Sequence, residues 1–122
     1  MQTTAQITGS TSEEIALTYL SEHNLKLVTR NFRCKLGEID LIMMDEQNLI
    51  FIEVRSRRAS SYGSGADNIT KSKQRKLTLT ASYFLMHYPD FAALPARFDV
   101  IDIYLENQSH QLRWIPAAFS AF

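Results

Sequence analysis

Residues 37–57 read GEIDLIMM, then Asp45-Glu46-Gln47-Asn48, then LIFIEVRSR. Two β-rich apolar runs separated by a short polar break are the signature of a hairpin. A two- or four-residue loop centred on Glu46-Gln47 sets Met44 opposite Leu49, Ile42 opposite Phe51, Asp40 opposite Glu53 and Glu38 opposite Arg55. On that register one face carries Ile39, Leu41, Met43, Ile50, Ile52 and Val54, an apolar surface suited to a core. The other is apolar near the turn (Ile42, Met44, Phe51) and charged at the open end (Glu38, Asp40, Glu53, Arg55, Arg57). Directly opposed residues bring their Cβ atoms to about 4.5–5.5 Å, where like charges repel. Asp40 facing Glu53 therefore requires a shared proton, a neighbouring cation or a divalent metal with oxygen ligands. The alternative is a solvated sheet edge with Glu38 paired to Arg55.

A chain of 122 residues is expected to form one domain, with residues 1–9 a loose polar tail. With one cysteine, Cys34, no internal disulfide can form, which suits a reducing compartment. No run approaches the ~18 apolar residues of a membrane span, and the start MQTTAQITGSTSEE lacks the apolar stretch of a signal peptide. A soluble, cytoplasmic protein without a membrane partner is the expectation. The zero net charge argues against a general coat for polyanions, but the charge is unevenly placed. Residues 55–76 hold seven bases (Arg55, Arg57, Arg58, Lys71, Lys73, Arg75, Lys76) against Asp67 alone. A cationic band directly after the carboxylate pair suits capture of a phosphodiester, though a solvated helix end has the same composition.

Around the hairpin the remaining elements follow from their periods. Ser10 and Thr11 each precede a Glu by three residues, the capping-box spacing, and open a short helix with Ile15, Ala16, Tyr19 and Leu20 on one stripe. Glu13 and Glu14 are accounted for by that cap. Residues 25–33 read as a strand, and Cys34-Lys35-Leu36-Gly37 as the turn into the hairpin, giving a three-stranded meander. Ala59 to Asn68 is a small-residue loop, either a flap over substrate or a connector. From Thr70 to Tyr88 the period is helical, with Leu77, Ala81, Phe84, Leu85 and Tyr88 on the buried face and Pro89 as the stop. Lys73 lies on the same inward stripe, four residues before Leu77. RFDVIDIYL at 97–105 alternates as a strand; following strand and helix, it is placed parallel to a hairpin strand. His110 to Ile115 is a last strand, ended and confined to an edge by Pro116. The three histidines have no ligand spacing, and no P-loop or serine-nucleophile elbow is present.

The order of these features resembles the bacterial YraN family. The resemblance rests on Glu13-x-x-Ala16-x-x-Tyr19-Leu20, Arg30-Asn31-x-Arg33, GEIDLI at 37–42 and FIEVRSR at 51–57, with Gly63, Lys73, Ala81, RFDV at 97–100 and Ala118-Phe119 beyond. It implies an α/β restriction-endonuclease-like fold, a central mixed β-sheet flanked by helices, distantly similar to archaeal Holliday-junction resolvases. It also implies a nuclease signature of Asp followed by Glu-x-Lys. Carried onto this chain, Asp40 and Glu53 become metal-binding carboxylates for Mg²⁺ or Mn²⁺, with Glu13 a third carboxylate nearby. The activity implied is metal-assisted hydrolysis of DNA, branched or otherwise structured, with a homodimer as an allowed assembly.

This chain departs from the signature at Arg55, which stands in the lysine's place. Lysine can shed a proton when buried and assist a water; arginine effectively cannot, although it can hold a phosphate oxygen. Lys73 is the other basic residue expected at the catalytic centre. Three readings stand: a metal-dependent endonuclease, a nucleic-acid-binding module of the same fold without turnover, and a structural or partner-binding protein.

Overall fold

The computed structural model describes residues 11–58 and 69–120. Helix α1 (Ser12–Glu22) leads into strands β1 (Lys26–Cys34), β2 (Gly37–Met44) and β3 (Leu49–Arg58). Helix α2 (Lys71–His87) and a 3₁₀ turn (Pro89–Ala93) then precede β4 (Ala96–Glu106) and β5 (Ser109–Phe119). The strands form one sheet in the order β1-β2-β3-β4-β5. β3 and β4 run parallel and all other neighbours antiparallel, the crossover topology expected from the helix between them. The fold is the expected α/β arrangement, a mixed central sheet flanked by two helices. The expected N-terminal tail and the Ala59–Asn68 loop lie outside the described residues.

The hairpin has the predicted register, Met44 facing Leu49 and Ile42 facing Phe51. Its four-residue loop is tied by Asp45, whose Oδ1 accepts the amides of Gln47 (2.8 Å) and Asn48 (2.7 Å). Both sheet faces are covered, which explains why Leu49-Ile50-Phe51-Ile52 is apolar without alternation. Leu41, Met43, Ile50, Ile52, Ile101 and Ile103 pack with Ala16 and Leu20 of α1. Ile42, Leu49, Phe51 and Phe98 pack with Leu77, Ala81 and Phe84 of α2. Each large side chain so buried stabilises by about 1.5–3 kcal/mol.

Four expectations are corrected. Ile39 does not share a face with Leu41: it packs in the α2 cluster, and Leu41 in the α1 cluster. The partner strand shows why. Asn31 is left-handed (φ 54°), and across it Arg30 reaches Glu14 of α1 while Phe32 turns to Phe84 of α2. Arg30 pairs with Leu41 and Phe32 with Ile39, so the reversal spans both strands and Asp40 lies at its centre. Glu38, expected opposite Arg55, pairs instead with Arg33.

The capping box is the third correction. Thr11 already has helical angles and makes no side-chain cap, so it forms no box with Glu14, while Ser10, expected to pair with Glu13, lies outside the described residues; at α2, by contrast, Thr70 accepts the Lys73 amide. Finally, Pro116 does not end the last strand, because β5 runs on to Phe119. As an edge strand it tolerates a residue without an N–H. The register shift between Phe98 and Val100 is taken up with Ala117 left-handed (φ 50°), and the Ala117 amide finds Asp99 Oδ1 at 2.9 Å.

Candidate active site at the splayed end of the hairpin

The β2–β3 ladder runs from Met44–Leu49 to Leu41–Ile52 and ends there. One residue further Asp40 takes over: its Oδ2 accepts the Val54 amide at 2.8 Å, a side chain serving where a main-chain acceptor would otherwise stand. The opening leaves a cleft of about 250 Å³, lined by Gly37, Glu38, Asp40, Glu53, Lys73 and Lys76 and floored by Leu77. Lys73 Nζ lies 3.3 Å from Glu53 Oε2, reaching down from the first turn of α2.

Glu53 is hydrogen-bonded to Asp40, and its carboxyl is pushed up to about 7. Burial is the main cause, followed by the hydrogen bond from the protonated acid to Asp40 and repulsion by the Asp40 charge; Lys73 works in the opposite direction. Burial and the neighbouring Asp40 thus favour the protonated form of Glu53. Glu13 approaches Asp40 from the α1 side. Burial raises its pKa, the Asp40 charge adds to that, Arg30 opposes, and Glu38 and Glu14 add further. Its Oε1 is buried with no hydrogen-bond partner among the described residues.

These groups fit a small hard cation in one specific sense. Mg²⁺ is commonly held by one or two carboxylates, its other positions filled by water and phosphate oxygens. Asp40 and Glu53 supply such a pair, side by side in the cleft. No closed cage exists: among the described residues no group of three or more His, Cys, Asp or Glu is arranged to hold a metal ion. Glu13 therefore stands behind Asp40 and completes no such cage.

The remaining predicted residues divide. Lys71, Arg75 and Lys76 are exposed on α2, and Lys76 also lines the cleft. Arg55 is half-buried on β3, in register with Asp102 of β4, and does not line the cleft. Arg57 is committed elsewhere: its Nε and Nη2 contact the fully buried Asp102 at 3.0–3.3 Å, and it lies over the Tyr104 ring. The side chain of Arg58 lies outside the described residues. Sequence reasoning passed over Gly37, Lys76 and Leu77 as lining residues. The last two were within reach, because residues three and four after Lys73 share its helix face. It also read Asp99 and Asp102 as merely polar strand positions. Both are buried and satisfied, Asp99 by Arg97, Trp114 and Ala117.

A larger hollow of about 790 Å³ lies at the turn end of the hairpin, lined by Asn24, Lys26, Met44, Asp45 and Glu46 among others. The Asp45 carboxylate there is engaged by the turn amides. No pair of groups with opposed protonation demands meets in it, so size and chemistry point to different places and chemistry decides.

The model of the uncharacterised protein family UPF0102 matches residues 12–103. Among similar proteins, a UPF0102 protein of Legionella pneumophila (strain Corby) is 42% identical over 113 residues, 93% of this chain and 94% of that protein. One from Stutzerimonas stutzeri (strain A1501) is 38% identical over 117 residues, covering 96% and 98%. One from Pseudomonas syringae pv. syringae (strain B728a) is 40% identical over 121 residues, covering 98% of each. Of solved structures, Pyrococcus furiosus SfsA in complex with Ca²⁺ aligns over 92% of this chain and 63% of that one, at 12% identity and a TM-score of 0.41, too slight a likeness to carry an argument. No helix among the described residues is long and apolar enough to cross a membrane. The chain belongs to the uncharacterised protein family UPF0102, the YraN family whose motifs it carries.

Proposed function

We propose that the cleft between Asp40, Glu53 and Lys73 is a divalent-metal-dependent phosphodiesterase site acting on DNA. The observation that carries this reading is the hydrogen-bonded carboxyl pair set against a lysine at the break of the β2–β3 ladder. Setting two half-buried acids side by side is costly, because like charges so close disfavour each other. Bound between Asp40 and Glu53, Mg²⁺ or Mn²⁺ would supply an activated water and neutralise charge on a phosphate oxygen.

The chain's own residues do the rest. Asp40 is fixed by the Val54 amide, so its other oxygen has a set direction. Lys73 holds Glu53 towards its charged form from 3.3 Å. Lys76, at the cleft wall, is placed to contact a non-bridging phosphate oxygen. The amine that the nuclease signature places two residues after the glutamate comes here from α2, while Arg55 stands outside the cleft. The arginine at position 55 also supports a second reading, a binding module of the same fold without turnover. Cleavage of single-stranded, duplex and junction DNA in Mg²⁺ or Mn²⁺, beside an Asp40→Ala control, decides between them. Metal-dependent turnover lost in the control is expected; binding without turnover in any metal would favour the module.

A further inference from the structure

Helix α2 continues beyond the cleft as a surface of a different kind. Its 17 residues include Lys71, Lys73, Arg75 and Lys76 and no Asp or Glu. Lys76, Tyr83 and His87, at i, i+7 and i+11, fall within about 40° of one line along the helix. The rings of Tyr83 and His87 stack at 4.1 Å with 26° between their planes, and the His87 Nδ1–H donates to the Tyr83 carbonyl at 3.0 Å, fixing the pair. Phe32 of β1 stands 6.2 Å from Tyr83 on the other side. The β1–β2 turn, which approaches α2 where Gly37 meets Thr80 and Lys76, carries the exposed Lys35 and, next to it, the exposed Arg33. Leu79, Tyr83 and Met86 remain exposed along this side of the helix.

We propose that a single strand of nucleic acid leaves the Asp40–Glu53 cleft along this line, its backbone held by Lys76 and one of its bases stacked on the Tyr83–His87 pair. The inference rests on the phosphodiesterase reading for its origin in the cleft. Tyr83 lies about 10 Å along the helix from Lys76, a distance spanned by about two or three nucleotides. A basic track interleaved with aromatic rings is the arrangement that binds single strands without sequence preference, because every base has a π-face. A duplex keeps those faces inside its own stack. The positive charge of the helix's first two turns, unopposed by any acid on α2, selects a polyanion over an apolar protein surface as the occupant.

The test is binding of a fluorescein-labelled 12-nucleotide single strand and of the corresponding duplex to the full chain in EDTA, followed by anisotropy. Tyr83→Ala is expected to weaken single-strand binding roughly tenfold and to leave duplex binding within about twofold, with Tyr83→Phe close to wild type. Quenching of 2-aminopurine at a single position of the strand, lost in Tyr83→Ala, is the accompanying signature of stacking. Unchanged single-strand affinity in Tyr83→Ala, or an equal loss in Tyr83→Phe, overturns the proposal. So does a shift from dimer to monomer in sedimentation at unaltered strand affinity, which would make this face a protein interface. Cleavage in Mn²⁺ separates the two readings. Tyr83-dependent binding without any turnover keeps the strand track and rejects the phosphodiesterase; turnover that ignores Tyr83 does the reverse.

Discussion

Asp40 Oδ2 accepts the Val54 amide at 2.8 Å across the gap where the β2–β3 ladder ends. The carboxylate therefore has two duties, a structural one towards Val54 and a chemical one towards Glu53, and substitutions separate them. Asp40→Asn keeps an acceptor for the amide and removes the like charge, so without metal it should stabilise the fold by about 1 kcal/mol. Asp40→Ala leaves the amide unpaired and should cost about 1–3 kcal/mol. A metal bound only by the folded state at a hundred times its Kd adds about 2.7 kcal/mol, so Mn²⁺ should raise the melting temperature of the wild type and of neither variant. Thermal denaturation with and without Mn²⁺ checks this; equal shifts in all three proteins would remove the metal from the cleft.

Glu53 gives the fold a pH dependence of defined sign. Its carboxyl is raised from 4.5 to about 7, so between those values the folded state binds a proton that the unfolded state releases. Stability from this group is complete below about pH 4.5 and lost as pH rises through about 7, by up to about 3 kcal/mol. Urea denaturation of the wild type and Glu53→Gln at pH 5 and pH 7.5 isolates that share. Glu53→Gln should lose the drop, and Lys73→Ala should enlarge it, because Lys73 favours the charged form. A wild type and Glu53→Gln that fall in parallel would place the proton elsewhere.

The hairpin was legible because its two runs and polar break allow few registers, and the loop length fixed one of them. Lys73 was half legible: its helical stripe aims it at the sheet, but a lysine snorkelling to water at a helix start has the same spacing, and only the 3.3 Å contact with Glu53 decides between them. The reversal around Asp40 was not. It depends on Asn31 adopting left-handed angles in a neighbouring strand, and an asparagine inside a strand pattern does not announce that conformation. The role of Arg57 was hidden for the same kind of reason. Its partner Asp102 is 45 residues away and becomes buried only through the crossover. Glu13 looked sufficiently explained as part of a cap, and the capping spacing says nothing of its place beside Asp40.

Gly37 sets how closely α2 approaches the cleft. Its φ of 157° is one that side-chain-bearing residues rarely adopt, and a Cβ there would meet Thr80 Oγ1 at 2.9 Å. Thr80 is fully buried and its hydroxyl is bound to the Lys76 carbonyl at 2.8 Å, so it has little room to yield. Gly37→Ala should cost on the order of 1–3 kcal/mol and displace Lys76 from the cleft wall. Adding Thr80→Ala should recover the steric part alone. A double-mutant cycle by urea denaturation measures the coupling, and a value near zero would mean that the helix shifts without strain.

If the cleft is catalytic as proposed, the identity of its base turns on Lys73 and Arg55. Lys73 Nζ is 3.3 Å from Glu53 Oε2, and Arg55 lies outside the cleft lining. An arginine effectively cannot release its proton, whereas a lysine can when its surroundings disfavour the charge. If Lys73 acts as that base, Lys73→Ala should lower cleavage by roughly 10²–10⁴-fold, the usual contribution of a placed acid–base group. Lys73→Arg should not rescue it, since charge alone would then be restored without a group that releases its proton. Arg55→Lys should change turnover by less than about threefold, a small effect on the scale of acid–base catalysis. The four proteins belong in one Mg²⁺ assay, at equal helix and strand content by circular dichroism. Full rescue by Lys73→Arg would reduce Lys73 to an electrostatic support for Glu53. A large gain in Arg55→Lys would instead return the base to the position of the nuclease signature and leave α2 to hold the strand.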